Sequence, residues 1–128
     1  MSNYGYSKQL HVSFDDAVSK TINALKSNGF GILTDIDVKK TLKEKLDVDF
    51  KQYRILGACN PPRAYKALQS EEEIGLLLPC NVIVYEKDGD VIVSALKPSV
   101  AVTIVENEQL ESGATEVEKI LKQVIDNL

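Results

Sequence analysis

The dipeptide Cys-Asn occurs twice, at Cys59-Asn60 and Cys80-Asn81, and these are the only two cysteines among 128 residues. A thiol that loses its proton is a nucleophile and a soft-metal ligand, and an amide beside it can cap a helix or hold a ligand. Cys59, Asn60, Cys80 and Asn81 are therefore the candidate ligand-binding set. A structural reading competes with this one, because free cysteine is among the most buried residue types and packs as a small hydrophobe. Asn60 precedes Pro61, which suits a helix cap, and Asn81 is placed to bond a neighbouring loop. Structural zinc needs four ligands at close spacing, and two thiols with the single imidazole, His11, do not supply them. The sequence identifies neither a metal nor a cofactor.

The other reactive residue types form no constellation. His11 has no adjacent nucleophile to serve and reads as a surface or interface residue. Glu71, Glu72 and Glu73 stand before an apolar run; paired carboxylates can exchange protons, but such a run is normally solvated. Gly29, Gly31, Gly57 and Gly75 are too scattered for a phosphate-binding loop, and no Ser-His-Asp order has workable spacing. No catalytic residue is assigned.

The elements that must position the two Cys-Asn pairs can be read from periodicity. Tyr4, Tyr6, Leu10 and Val12 alternate with Ser7, Gln9 and His11, a half-buried strand. Ser13 is placed to cap a helix through the N–H of Asp16; Phe14, Val18, Ile22 and Leu25 form its apolar stripe, and Gly29 ends it. FGILTDI is a second strand. DVKKTLKEKL is a short exposed helix with Val38, Leu42 and Leu46 inward, and YRILGAC is a third strand. Asn60 opens a helix with Pro61 at its first position, running to about Gln69 and burying Ala64 and Leu68. IGLLLP reads as a core segment. In CNVIVYEKDGDVIVSALK two β-rich runs flank Asp88-Gly89, the signature of a tight hairpin. PSVAVTIV is compatible with a strand or a short helix, whereas Leu110, Ala114, Val117, Leu121, Val124 and Leu128 mark a long closing helix, widened by Ile120 and Ile125. Residues 1–128 read as one α+β domain with an antiparallel sheet.

Composition narrows the function. The net charge of −4 argues against nucleic acid, and the lysines at 39, 40, 43 and 45 are interleaved with acids rather than forming a phosphate track. The first residues have neither the basic nor the apolar region of a signal peptide, and no apolar run is long enough to span a bilayer. With only two cysteines, the expectation is a cytoplasmic protein with no membrane partner. The hairpin is apolar on both faces: Val82, Val84, Val91 and Val93 point one way, Ile83, Tyr85, Ile92 and Leu96 the other. The helices at 14–28 and 110–127 can cover one face. The second face needs the segments 37–46 and 61–69, or another subunit, and a homodimer is expected.

At YRILGACNPPRAYKAL and IGLLLPCNVIVYE the sequence resembles the domain-of-unknown-function family numbered 302, over nearly its whole length. Pro61-Pro62 departs from the single proline expected there. The resemblance implies a strand–helix–four-strand–helix fold with long helices on one side of a curved antiparallel sheet, similar in topology to one repeat of the TATA-box-binding protein. It implies no activity. Two functions are expected as alternatives: a homodimeric, non-enzymatic domain binding a small molecule or a protein partner, or a thiol- or metal-handling protein of a sulfur or redox pathway that uses Cys59 and Cys80.

Overall fold

In the computed structural model, which describes residues 2–128, strand β1 (Gly5–Leu10) leads through Ser13 into helix α1 (Phe14–Ser27). The Ser13 hydroxyl accepts from the N–H of Asp16 at 3.1 Å, as its position predicts. At the other end Gly29 takes φ 86°, and the N–H groups of Phe30 and Gly29 bond back to Leu25 O and Lys26 O. That paired closure is a Schellman motif, and it places the buried side chains of Leu25 and Phe30 in the same core.

Strand β2 (Gly31–Asp37) follows, then helix α2 (Val38–Leu46), strand β3 (Tyr53–Cys59), helix α3 (Pro61–Ser70), and a 3₁₀ helix over Glu72–Leu77. Strand β4 (Cys80–Lys87) and strand β5 (Asp90–Leu96) form the hairpin. Asp88 and Gly89 have φ 51° and 84°, the two positive values that a type I′ turn requires. Pro98 opens a four-residue helix, α4 (Pro98–Ala101), then a 3₁₀ turn, so PSVAVTIV resolves as helical. Helix α5 (Gln109–Asp126) closes the chain.

The strands form one open antiparallel sheet in the order β1-β5-β4-β3-β2. The register puts Leu10 opposite Val91, Lys8 opposite Val93, and Val84 opposite both Val93 and Arg54. Val82, Val84, Val91, Val93 and Ala95 therefore share one face, with Leu56 and Ala58, and pack under α1 and α5. The long helices cover that face, as expected. Thr21, the one fully buried polar residue of α1, donates its hydroxyl to Ala17 O at 2.7 Å, so no buried polar group is left unpaired there. The end of α5 is fastened to β1: Lys8 Nζ donates to the carbonyls of Asp126 and Leu128 at 2.9 and 2.8 Å, and Tyr6 Oη to Asp126 Oδ1 at 2.7 Å. The dipole of the helix end favours that ammonium.

Three placements differ from the sequence reading. Leu46 is 65% exposed because the half-buried stripe of α2 ends at Leu42, and Leu68 is 40% exposed because it lies beside the α3 stripe of Ala64, Ala67 and Ser70. In IGLLLP, Ile74 is buried but Leu76 is 82% exposed, since a three-residue repeat aligns Ile74 with Leu77 and turns Leu76 outward. Helix α3 packs on α5, on the helix-covered side, and so leaves the second face of the sheet uncovered by it.

Val18 lies 6% exposed in the core between α1 and the sheet. A carboxylate there has no partner, so Val18→Asp should abolish the cooperative melt seen by circular dichroism. A soluble variant with an unchanged melting temperature would contradict the packing described.

Candidate functional site

At one end of the sheet the chain leaves β3 through Cys59 and returns to β4 through Cys80. Ala58 is the register partner of Cys80, so the two cysteine backbones sit on adjacent strands one residue out of register, about 6 Å apart on the diagonal. Between them the chain makes α3 and the 3₁₀ turn, which fold over the sheet end toward α5. Asn60 caps α3 by accepting from the N–H of Arg63 at 3.4 Å, and Pro61 and Pro62 occupy the first two helical positions, where no N–H is missed.

These elements enclose a cavity of about 180 Å³. Its floor is made by Ala58, Cys59, Cys80 and Leu96 at the strand ends; α3 contributes Ala64 and Ala67, α5 contributes Gly113 and Ala114, and Ile74, Leu77 and Pro98 close the sides. Alanine and glycine on the facing sides of α3 and α5 leave part of the space unfilled, and Leu110 and Val117 of α5 also line it. Polar side chains line it as well, among them Asn60, Arg63, Lys66, Gln109 and Glu116. Arg63 Nη1 donates to Glu116 Oε2 at 2.6 Å, joining α3 to α5, and this bond holds the Glu116 carboxyl below its ordinary range. At the far end of α3, Asn107 Nδ2 donates to Ser70 O at 3.1 Å. Glu118 anchors α4: burial pushes its carboxyl up, but the Ser99 N–H (3.1 Å), the Ser99 hydroxyl (2.5 Å) and Lys122 outweigh that and hold it down.

Cys59, Asn60 and Cys80 all border the cavity, and Asn81 does not. Along β4, Cys80 shares a face with Val82 and Val84, while Asn81 is exposed on the other face with Ile83 and Tyr85. Both thiols are free and half-buried. Among the described residues no group of three or more His, Cys, Asp and Glu side chains is disposed to hold a metal ion. His11 Nδ1 meets Asp90 Oδ1 at 2.8 Å on the surface, bracing the hairpin against the end of β1. Two features went unread in the sequence. Gly57 is a close-approach glycine, since a Cβ there would fall 2.2 Å from Thr34 Oγ1 and 2.8 Å from Pro79 Cγ. Ala64, Ala67, Gly113 and Ala114 were legible as small residues on two helices, though nothing in the sequence said that the helices would be neighbours.

Burial pushes the Cys80 thiol up to about 11 from 9.0, and Cys59 adds to the rise. The unfolded chain gives up this proton near pH 9 and the folded chain only near pH 11. Stability is therefore fully present below pH 9 and is lost as the pH climbs toward 11, by about 2–3 kcal/mol. Cys80→Ala should remove this component, so its urea midpoint should fall less between pH 8 and pH 10.5 than that of the parent. Parallel falls would contradict the assignment.

Residues 6–128 match the family model described as domain of unknown function DUF302. The chain is also similar to a solved structure, the crystal structure of an uncharacterized conserved protein DUF302 from Bacillus stearothermophilus, at 28% identity and a TM-score of 0.91, with 98% of each chain covered. No curated protein matches the sequence. Gly57-Ala58-Cys59-Asn60-Pro61 and Leu78-Pro79-Cys80-Asn81, the segments that flank the cavity, both lie within the matched span, and the chain belongs to the DUF302 family.

Proposed function

We propose that this domain binds a small, largely apolar ligand in the cavity between α3 and α5, without performing chemistry on it. The observation that carries the reading is the cavity itself: about 180 Å³ of space lined mainly by alanine, leucine, isoleucine and other apolar residues, with polar side chains among them. Concave apolar pockets of this kind are the usual form of small-molecule sites. Helix α3 has no fully buried residue, so little packing must be given up for it to admit a ligand. The thiol-handling alternative draws support from Cys59 and Cys80 both bordering the cavity, but the Cys80 thiol, which burial pushes up to about 11, is a poor nucleophile at neutral pH. Free cysteines accord with a cytoplasmic, reducing setting. A titration with 1-octanol followed by NMR should give saturable shifts at Ala64, Ala67 and Ala114. Ala67→Leu, which fills the space, should remove them while keeping the fold. Shifts spread over the surface, or unaffected by the filling, would refute the site.

We propose further that the domain is a twofold homodimer through the sheet face opposite α1 and α5. Ile55, Ile83 and Tyr85 lie half-buried on that face around the buried Ile92, with Tyr53 stacked on Tyr85 at 5.3 Å between ring centroids. Five strands of this length present on the order of 500 Å² in projection, comparable with the roughly 800 Å² each partner contributes to a standard interface. Ile83→Glu should yield soluble monomer in sedimentation equilibrium across a dilution series of both proteins. A parent that is monomeric at every concentration sinks the dimer and leaves the cavity reading untouched.

A further inference from the structure

The charge at the cavity rim runs against that of the whole chain. The protein carries −4, yet the cavity is bordered by two cations, Arg63 and Lys66, and one carboxylate, Glu116. Arg63 and Lys66 are three residues apart on α3 and therefore project from the same side of the helix. Lys119 stands close enough to act on Glu116 together with them, so three positive charges surround a single negative one. Lys66 makes no salt bridge among the described residues. Arg63 spends one N–H on Glu116, and a guanidinium has five, so it retains donors for a second carboxylate. Beside each cation stands an alanine of the cavity wall, Ala64 after Arg63 and Ala67 after Lys66, about 100° round the helix.

This is a charged mouth over an apolar interior, and its complement is an amphiphile. We propose that the cavity takes a short-chain aliphatic carboxylate, its chain between α3 and α5 and its head group at Arg63 and Lys66. The proposal rests on the cavity reading above and adds the ligand's charge and length. At about 30 Å³ per water-sized volume, the space holds about six heavy atoms, so chains of about six to eight carbons fit with the head group outside. Glu116 is then a competitor for Arg63 and must share it when the ligand binds. That gives the proposal a signature that a general apolar pocket lacks: removing the Glu116 charge should favour the carboxylate and leave an uncharged ligand unaffected.

The test is isothermal titration of the intact chain with octanoate and with 1-octanol at low ionic strength. Octanoate should bind about fivefold more tightly than octanol, the preference expected of half-exposed charge pairs. Lys66→Gln and Arg63→Gln should each weaken octanoate and leave octanol unchanged. Glu116→Gln should strengthen octanoate alone. Equal affinities for the two ligands in the parent protein, or octanoate binding indifferent to all three substitutions, would overturn the head-group assignment while the cavity reading stands on the octanol result. Saturable binding of neither ligand would overturn both. Lys66, which makes no salt bridge, keeps the test decisive even if loss of the Arg63–Glu116 bridge loosens α3.

Discussion

Helix α5 can lie across the sheet only because β5 and its neighbour β1 offer it a closely packed apolar surface. Leu121, Val124 and Ile125 in its second half bury themselves against the core that includes Val82, Val84 and Val93. The branched side chains of those strands leave few conformations to lose on packing, and the contact is correspondingly dense. This one contact fixes the axis of α5, and what happens at the other end of the helix follows from it. There the helix carries Gly113 and Ala114, runs past the end of the sheet, and meets α3 instead of strands. Dense packing and the cavity are two ends of one helix whose direction is set by its far half. The fastening of its last turn to Lys8 and Tyr6 holds that direction.

The framework was readable because each of its pieces is specified locally. Asp88-Gly89 can close a hairpin without reference to the rest of the chain, the Ser13 cap needs only Asp16, and the left-handed residue after α1 needs only a glycine. The stripe of α5 likewise declares its buried side by spacing alone. Periodicity states that a helix has an apolar side, but not which body covers it, and that is where the reading stopped. Helix α3 lies on the helix-covered side of the sheet rather than under its second face, and Leu46 and Leu68 face solvent. The cavity was harder still to foresee. An alanine facing a neighbour and an alanine facing empty space look the same in sequence, so Ala64 could be read as half-buried but not as a wall.

The two Cys-Asn dipeptides are alike as letters and unlike in place. Asn60 ends a strand and begins a helix, so its amide serves the backbone of α3. Asn81 lies within a strand, where alternation sends it to the face that Cys80 avoids. Repetition in sequence thus does not become symmetry in space. What joins the cysteines is the ladder between β3 and β4, and the apolar surroundings that bring Cys80 near Cys59 also keep its proton in place. The same burial that makes the thiols good wall material makes Cys80 slow to react.

The pairing of β1 with β5 also shapes the order in which the structure can arise. Gly5 lies opposite Leu96 and Tyr6 opposite Ala95, so the first strand finds its neighbour only after some ninety further residues exist. Closing a loop of that length costs entropy before any contact repays it, and such non-local pairings belong to slow folders. On a ribosome, β2 through β5 can assemble by consecutive antiparallel neighbours with α1 settling on β2 and β4, while β1 waits with its apolar side uncovered. The final step is insertion of the oldest segment at the edge of the sheet, followed by the docking of the newest helix over it. During that interval the nascent chain is most open to chaperones and to aggregation.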